Sequence, residues 1–342
     1  MKFNRFTFFS KLLSQKTRNT KNFINTSYIE HIRSINKWLN KYSSDKGIYI
    51  SNKQRREFPE VTGYWIETLL KWSYVEKASK WFNWLISIQN IDGGWPEPYT
   101  NGPSVLFDSG QIIRGIKCYS EINNVDVTKI SKNFLSYFLK VKEKHFTIKT
   151  ASIKSIGWHL NHLQTAWIVH KNWPGLISLK WLKLKLSKSL KIWKVGYQLS
   201  HYDIYALEAM YELGIFPNKL KKYIRYFDKK VRRLNYVPCD RNNNAPCYTA
   251  TAQLGVLYYK MGRKKDGDRL LFTMLDHLNV RRGNWTGSGK GGNYGPKEEL
   301  SWGLKYFLDL LYYHYTSSFD LDPKIPINLS NIITHKVNII KT

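Results

Sequence analysis

Glu60, in PEVTGYW, and Asp108, in DSGQIIRG, stand 48 residues apart, each opening a stretch of helical periodicity and each preceded by a long polar-aromatic loop. Two carboxylates brought together can divide acid–base work: one donates a proton to a leaving oxygen while the other acts as base or nucleophile, the pair that glycoside hydrolysis requires. The structural alternative is helix capping, because a first turn favours Asp and Glu. Pro59 already marks the helix start before Glu60, so that carboxylate is not needed as a cap. The position recurs down the chain as Asn161, His201, Tyr248 and Glu298, at spacings of 53, 40, 47 and 50 residues after Asp108. Glu298 is a third carboxylate of the same kind.

A second chemistry is written around His201, followed by Tyr202, Asp203 and Tyr205. A neutral His or a Tyr beside an Arg can remove the proton next to a uronate carboxylate, the first step of a lyase or an epimerase. Arg114, with Gln111 nearer the helix start, supplies a bidentate partner for such a carboxylate; an internal salt bridge is its other role. His159 and His162 are three residues apart with no neighbouring carboxylate to complete a metal set, so neither a metal nor a cofactor is expected. Tyr64, Trp95, His162, Asp203, Tyr205, Tyr248, Tyr294 and Trp302 are the further substrate-binding candidates, the aromatics offering flat faces to a sugar. The loop from Trp285 to Pro296 is rich in glycine but lacks Walker A spacing and a strand before it, and reads as a lip carrying Lys290 and Tyr294.

These residues need a scaffold. Apolar residues at Ile32, Ile35, Leu39 and Tyr42, again at Ala78, Trp81, Phe82 and Leu85, and at Ile130, Phe134 and Phe138 trace helical faces. The pattern predicts outer helices near 28–42, 76–90, 127–141, 176–189, 217–233 and 264–279. Inner helices are predicted near 60–73, 108–121, 161–171, 201–213, 248–261 and 298–315. Links from inner to outer helices are about three to six residues and those from outer to inner about 11 to 20. Every long link therefore falls on one face, where binding residues gather and inner-helix N-termini point. The long links carry Gly47-Ile48-Tyr49, Gly93-Gly94-Trp95, Gly157-Trp158, Gly196-Tyr197, Leu234-Asn235-Tyr236 and Gly283-Asn284-Trp285, glycines suited to ending a helix with an aromatic behind them.

The units resemble an all-α (α/α)6 toroid, a single-domain barrel of six helical hairpins shared by six-hairpin glycosidases, polysaccharide lyases and sugar epimerases. Phe58-Pro59-Glu60-Val61-Thr62-Gly63-Tyr64, Phe107-Asp108-Ser109-Gly110-Gln111 and Asn293-Tyr294 ahead of Ser301-Trp302 resemble a branch encoded among bacterial surface-polysaccharide genes. The resemblance implies a carbohydrate-active enzyme acting on an acidic bacterial poly- or oligosaccharide, by hydrolysis through Glu60 and Asp108 or by elimination or epimerisation. Leu85, Gln89, Gly93, Gly94 and Trp95 resemble the QW repeat of squalene cyclases, where Gln and Trp tie helices together. The acidic run that protonates a polyene and the prenyltransferase zinc pattern are both missing, which leaves a terpenoid cyclase or prenyltransferase-like toroid as the alternative, beside a non-catalytic glycan-binding protein. Residues 27–316 are assigned to the toroid, 1–26 to a basic N-terminal extension and 317–342 to a C-terminal tail.

Composition sets the outer limits. The chain of 342 residues is 42% hydrophobic and 15% aromatic, with 13 Trp and 23 Tyr, and carries 54 basic against 25 acidic residues for a net charge of +29. Such a field attracts anions, including an anionic glycan and, weakly, an anionic membrane surface; no nucleic-acid module accompanies it. Lys180 to Lys194 alternates lysines with leucines and tryptophans, a basic amphipathic segment read chiefly as a solvated outer face. Three cysteines without C-x-x-C spacing suggest a reducing compartment. With no 18-residue apolar stretch, the expected location is the cytoplasm or the inner face of the membrane.

Overall fold

The computed structural model describes residues 30, 32–96, 102–147, 156–277, 286–295, 297–318, 321–322 and 326–327. Among them the structure is helical, strand pairing being confined to isolated bridges. Helix α1 covers residues 32–41. It is followed by α2 (Pro59–Lys71), α3 (Val75–Ser87), α4 (Leu106–Asn123), α5 (Thr128–Phe146), α6 (Ile156–Asn172), α7 (Leu179–Ile192), α8 (Ser200–Glu212), α9 (Pro217–Leu234), α10 (Tyr248–Lys260), α11 (Lys264–His277) and α12 (Ser301–Ser318).

The even-numbered helices form a closed inner ring: each packs on the next even one from α2 to α12, and α12 packs back on α2. This is the (α/α)6 toroid. The two layers differ in composition as burial demands. Outer helices carry one apolar stripe, such as Tyr223, Ile224, Phe227 and Val231 of α9, whereas inner helices are buried nearly all round, as α10 is from Thr249 to Tyr258. In α7 the stripe Leu182, Leu186 and Leu190 turns inward, leaving the lysines outside, and the hydroxyl of Ser178 caps the helix by accepting from Trp181 N.

Close approach is set by glycine at one decisive crossing. A side chain on Gly63 would stand 2.5 Å from Ile112 Cα, and one on Gly115 would stand 1.9 Å from the Gly63 carbonyl. Only residues without a Cβ let α2 and α4 cross at that distance, and it is these two helices that carry Glu60 and Asp108. First and last hairpins are joined across the long-link face: Ser301 N and Oγ both donate to Ile50 O, and Trp65 Nε1 donates to Ser301 O.

The links 72–74, 124–127, 173–178, 213–216 and 261–263 are short, and 42–58, 88–105, 147–155, 193–199, 235–247 and 278–300 are the outer-to-inner ones. The long links are thus on one side, but their lengths range more widely than expected. Helix α6 begins at Ile156, so Gly157-Trp158 belongs to its first turn rather than to a link. The link before α8 is short because α7 continues to Ile192. Helix α12 begins at Ser301, three residues after the expected start, because Glu299 and Leu300 are drawn into bridges with Thr286 and Ser51. Where the fifth link lacks Gly, Asn235 takes φ +64° and ends α9 in its place. Gly283-Asn284-Trp285 lies outside the described residues. On the opposite face Ile327 is buried, its N–H donating to Lys71 O. No helix among the described residues is long and apolar enough to cross a membrane.

Candidate functional site

Glu60 is the second residue of α2 and Asp108 the third of α4, both on the long-link face and each 7% exposed. The N-cap residues are Phe58 and Val105, and neither makes a side-chain cap bond. The glycine crossing lies one turn beyond Glu60 and Asp108, at Gly63 against Gln111 and Ile112. Burial raises the Glu60 pKa well above the ordinary carboxylate value, the Asp108 charge raises it further, and the Lys305 ammonium opposes both. Two like charges in a desolvated space cannot both ionise cheaply, so Glu60 keeps its proton into the range where an ordinary glutamate has lost it. Lys305, only 1% exposed, is anchored to Asp309 at 2.7 Å and sits over the rings of Tyr306 and Tyr64 at 4.3 and 5.1 Å.

Aromatic residues surround the pair. The phenols of Tyr64, Tyr202, Tyr205 and Tyr294 are all held protonated, by burial first and also by the Glu60 charge, which places them within its field. His201 opens α8 among Tyr205, Tyr202 and Tyr294, with ring centroids 4.7, 5.2 and 5.4 Å away. Burial lowers its pKa to about 4 although Gln253 counteracts this. Its Nδ1 lies 2.9 Å from Gln253 Oε1. An amide oxygen only accepts, so Nδ1 carries the hydrogen and Nε2 is left as an acceptor, a tautomer assigned from this contact. Tyr294 Oη accepts from Trp302 Nε1, and Trp302 stands edge-on to Phe58. Tyr248 opens α10 at the edge of the glycine-rich loop. One turn into α4 from Asp108, the Gln111 amide is fully buried, and neither its nitrogen nor its oxygen has a partner among the described residues.

The remaining candidates lie elsewhere. Glu298 accepts from Ser51 Oγ and Gln54 Nε2, both at 3.0 Å, and so holds the first long link to the last. Arg114 is in the third turn of α4 and bonds Glu67 through Nε and Nη2 at 2.6 Å, beyond the turn that carries Tyr64. Trp95 is fully buried, donating from Nε1 to Leu85 O and packing on Phe134; with it, Gln89 donates to Gly93 O and Ile130 O, so this segment staples α3 to α5. Asp203 accepts from Trp193 Nε1, Gly196 N and Gln198 Nε2, fastening the link before α8, and burial raises its pKa to about 7 against those three donors. His162 faces α5, its Nε2 3.2 Å from His145 Nδ1, and burial holds its pKa well below normal. No group of three possible ligands among the described residues could hold a metal ion.

Three members of the cluster escape a reading of the sequence: Lys305, Tyr306 and Gln253. A lysine inside an apolar inner helix reads as an exposed residue that strayed, but its Asp309 partner one turn later was a usable signal of a buried ion pair.

No protein-family model matches the sequence, and no curated protein matches it. Solved structures do. An α-amylase from Clostridium perfringens superposes with a TM-score of 0.59 at 14% identity, over 84% of this chain and 98% of the other. The fold is glycosidase-like. A wild-type glycosidase gives a TM-score of 0.55 at 10% identity, and a point variant of a glycosidase in complex with glucose gives 0.56 at 11%, each over 84% of this chain and 97% of its own. The likeness spans almost the whole of each neighbour, so this toroid has their architecture without a major omission.

Proposed function

We propose that the protein is a glycoside hydrolase in which Glu60 is the general acid and Asp108 the base or nucleophile. The observation that carries this reading is a glutamic acid kept protonated by burial beside a second carboxylate, on the face where the long links open. Separation of two carboxyl pKa values is how one site holds an acid and a base at the same pH. Tyr64, Tyr205, Tyr294 and His201 would form the sugar-stacking wall, and the Gln111 amide has hydrogen bonds to give to hydroxyl groups. The glycosidases of the same fold, one of them in complex with glucose, support a glycan substrate. A net charge of +29 favours an acidic one such as a bacterial surface polysaccharide.

The second reading, uronate elimination or epimerisation, rests on His201: neutral, with Nε2 available as a base near Tyr205. Its weakness is Arg114, whose guanidinium is committed to Glu67 rather than to a substrate carboxylate. Incubating the purified protein with acidic and neutral bacterial glycans separates the two. Hydrolysis yields new reducing ends with water added, detected by mass spectrometry. Elimination yields an unsaturated uronate that absorbs in the ultraviolet, and its appearance would replace the hydrolytic reading.

A further inference from the structure

The inner helices also end in a common region, and their C-terminal turns frame a cavity of about 660 Å³ on the short-link side, lined by Glu67, Arg114, Trp167, Tyr259, Lys260 and Tyr313 among others. Glu60, Asp108, His201 and Tyr294 are not part of it. Tyr64 on α2 and Lys305 and Tyr306 on α12 occupy the intervening turns and are buried, closing the lumen between the two ends. The volume is that of a small-molecule pocket.

Its walls combine rings with charges. The Arg114 guanidinium and the Lys260 ammonium lie 4.9 and 5.1 Å from the Trp167 ring centroid, each fixed by a carboxylate, Glu67 or Glu208. Tyr259 and Tyr313 stand nearly parallel, 14° apart. Five basic and three acidic side chains line the space. Helix C-termini are partially negative and would repel an anion, but Lys71, Lys171 and Lys260 in the last turns of α2, α6 and α10 offset this. Lys71, Arg114 and Lys260 are matched by carboxylates. Lys171 and Lys264 at the rim are exposed and have no carboxylate within ion-pair distance among the described residues; Lys264 donates to Ser317 O.

We propose that this rear cavity binds an anionic sugar, its ring against Trp167 and the Tyr259–Tyr313 wall and its carboxylate or phosphate at Lys171 and Lys264. The site is independent of the reaction at the opposite end and stands even if Glu60 and Asp108 hydrolyse nothing.

Isothermal titration calorimetry of the full chain with glucuronate, glucose 6-phosphate and glucose tests it. Both anionic sugars should bind more tightly than glucose, and their order tells carboxylate from phosphate. The double substitution Lys171→Glu and Lys264→Glu touches only exposed side chains, so the fold should persist, while affinity for the anionic sugars falls at least about tenfold and that for glucose does not change. Equal affinity for the anionic sugars in the rim variant and the parent chain, or no heat from either anionic sugar, would overturn the proposal.

Discussion

Glu60 and Glu67 lie two turns apart on one helix and are perturbed in opposite directions. Both are desolvated, which pushes a carboxyl pKa up. At Glu60 the strongest charge effect beside burial is that of another carboxylate, Asp108, and the net effect is a strong rise. At Glu67 the same burial is overcome by Arg114 and then Lys71, and the pKa falls well below normal. Glu208 repeats the second pattern: Lys260 and Arg114 outweigh burial and bring it to about 2. The long-link end therefore sets one carboxyl group against another, whereas at the short-link end Glu67 and Glu208 each meet a cation. Burial alone does not decide which way a carboxyl pKa moves; the sign of the neighbouring charge does.

The sharpest way to break this contrast is at the acid pair. Glu60→Gln or Asp108→Asn should remove turnover on the hydrolysed glycan by about 10²–10⁴-fold, the usual contribution of a general acid or base, while the melting temperature stays within a few degrees. A variant that retained turnover would remove the residue from the mechanism. The reverse is expected at the other end. Arg114→Met leaves Glu67 with Lys71 as its cation in a desolvated site and should cost about 1–3 kcal/mol by denaturant titration, and the double change with Glu67→Gln should recover part of it.

A third test uses pH. His201 is held neutral to about 4. Below an unfolded-state value near 6.5 the unfolded chain takes up a proton that the folded chain refuses, so stability present above about pH 6.5 is lost as pH falls toward 4. The loss is about 3 kcal/mol for this group, and His201→Gln should flatten that part of the stability–pH curve. The smallest expected effect concerns Lys305. Because its ammonium lowers the Glu60 pKa, Lys305→Met should raise it and move the alkaline limb of the rate profile to higher pH; a shift to lower pH would contradict the arrangement.

Much of the architecture could be read from spacing, because outer helices must show one apolar face: Ala78, Trp81, Phe82 and Leu85 are all buried together. The location of Glu60 and Asp108 followed from link lengths, since alternating short and long connections put all inner N-termini on one side. Reading roles was harder. Trp95 lies in a long link and Asp203 in the first turn of α8, as site residues would, yet their contacts fasten the neighbouring links to the ring. Spacing cannot separate a residue that shapes a loop from one the loop presents. Lys305 and Gln253 were missed for the opposite reason. They lie within inner helices, and what draws them to the cluster is closure of the ring, a contact that no local pattern encodes.

That closure also orders events during synthesis. Trp65 meets Ser301 across 236 positions of chain. At the usual translation rate, about 5–20 residues per second, α2 waits roughly 12–50 s for α12. For that interval the flanks of α2 that α12 later covers, with the carboxyl of Glu60, face water. The first hairpin made is thus among the last to be completed, so a nascent chain stalled before residue 301 would carry both acids without the lysine and tyrosines that α12 contributes.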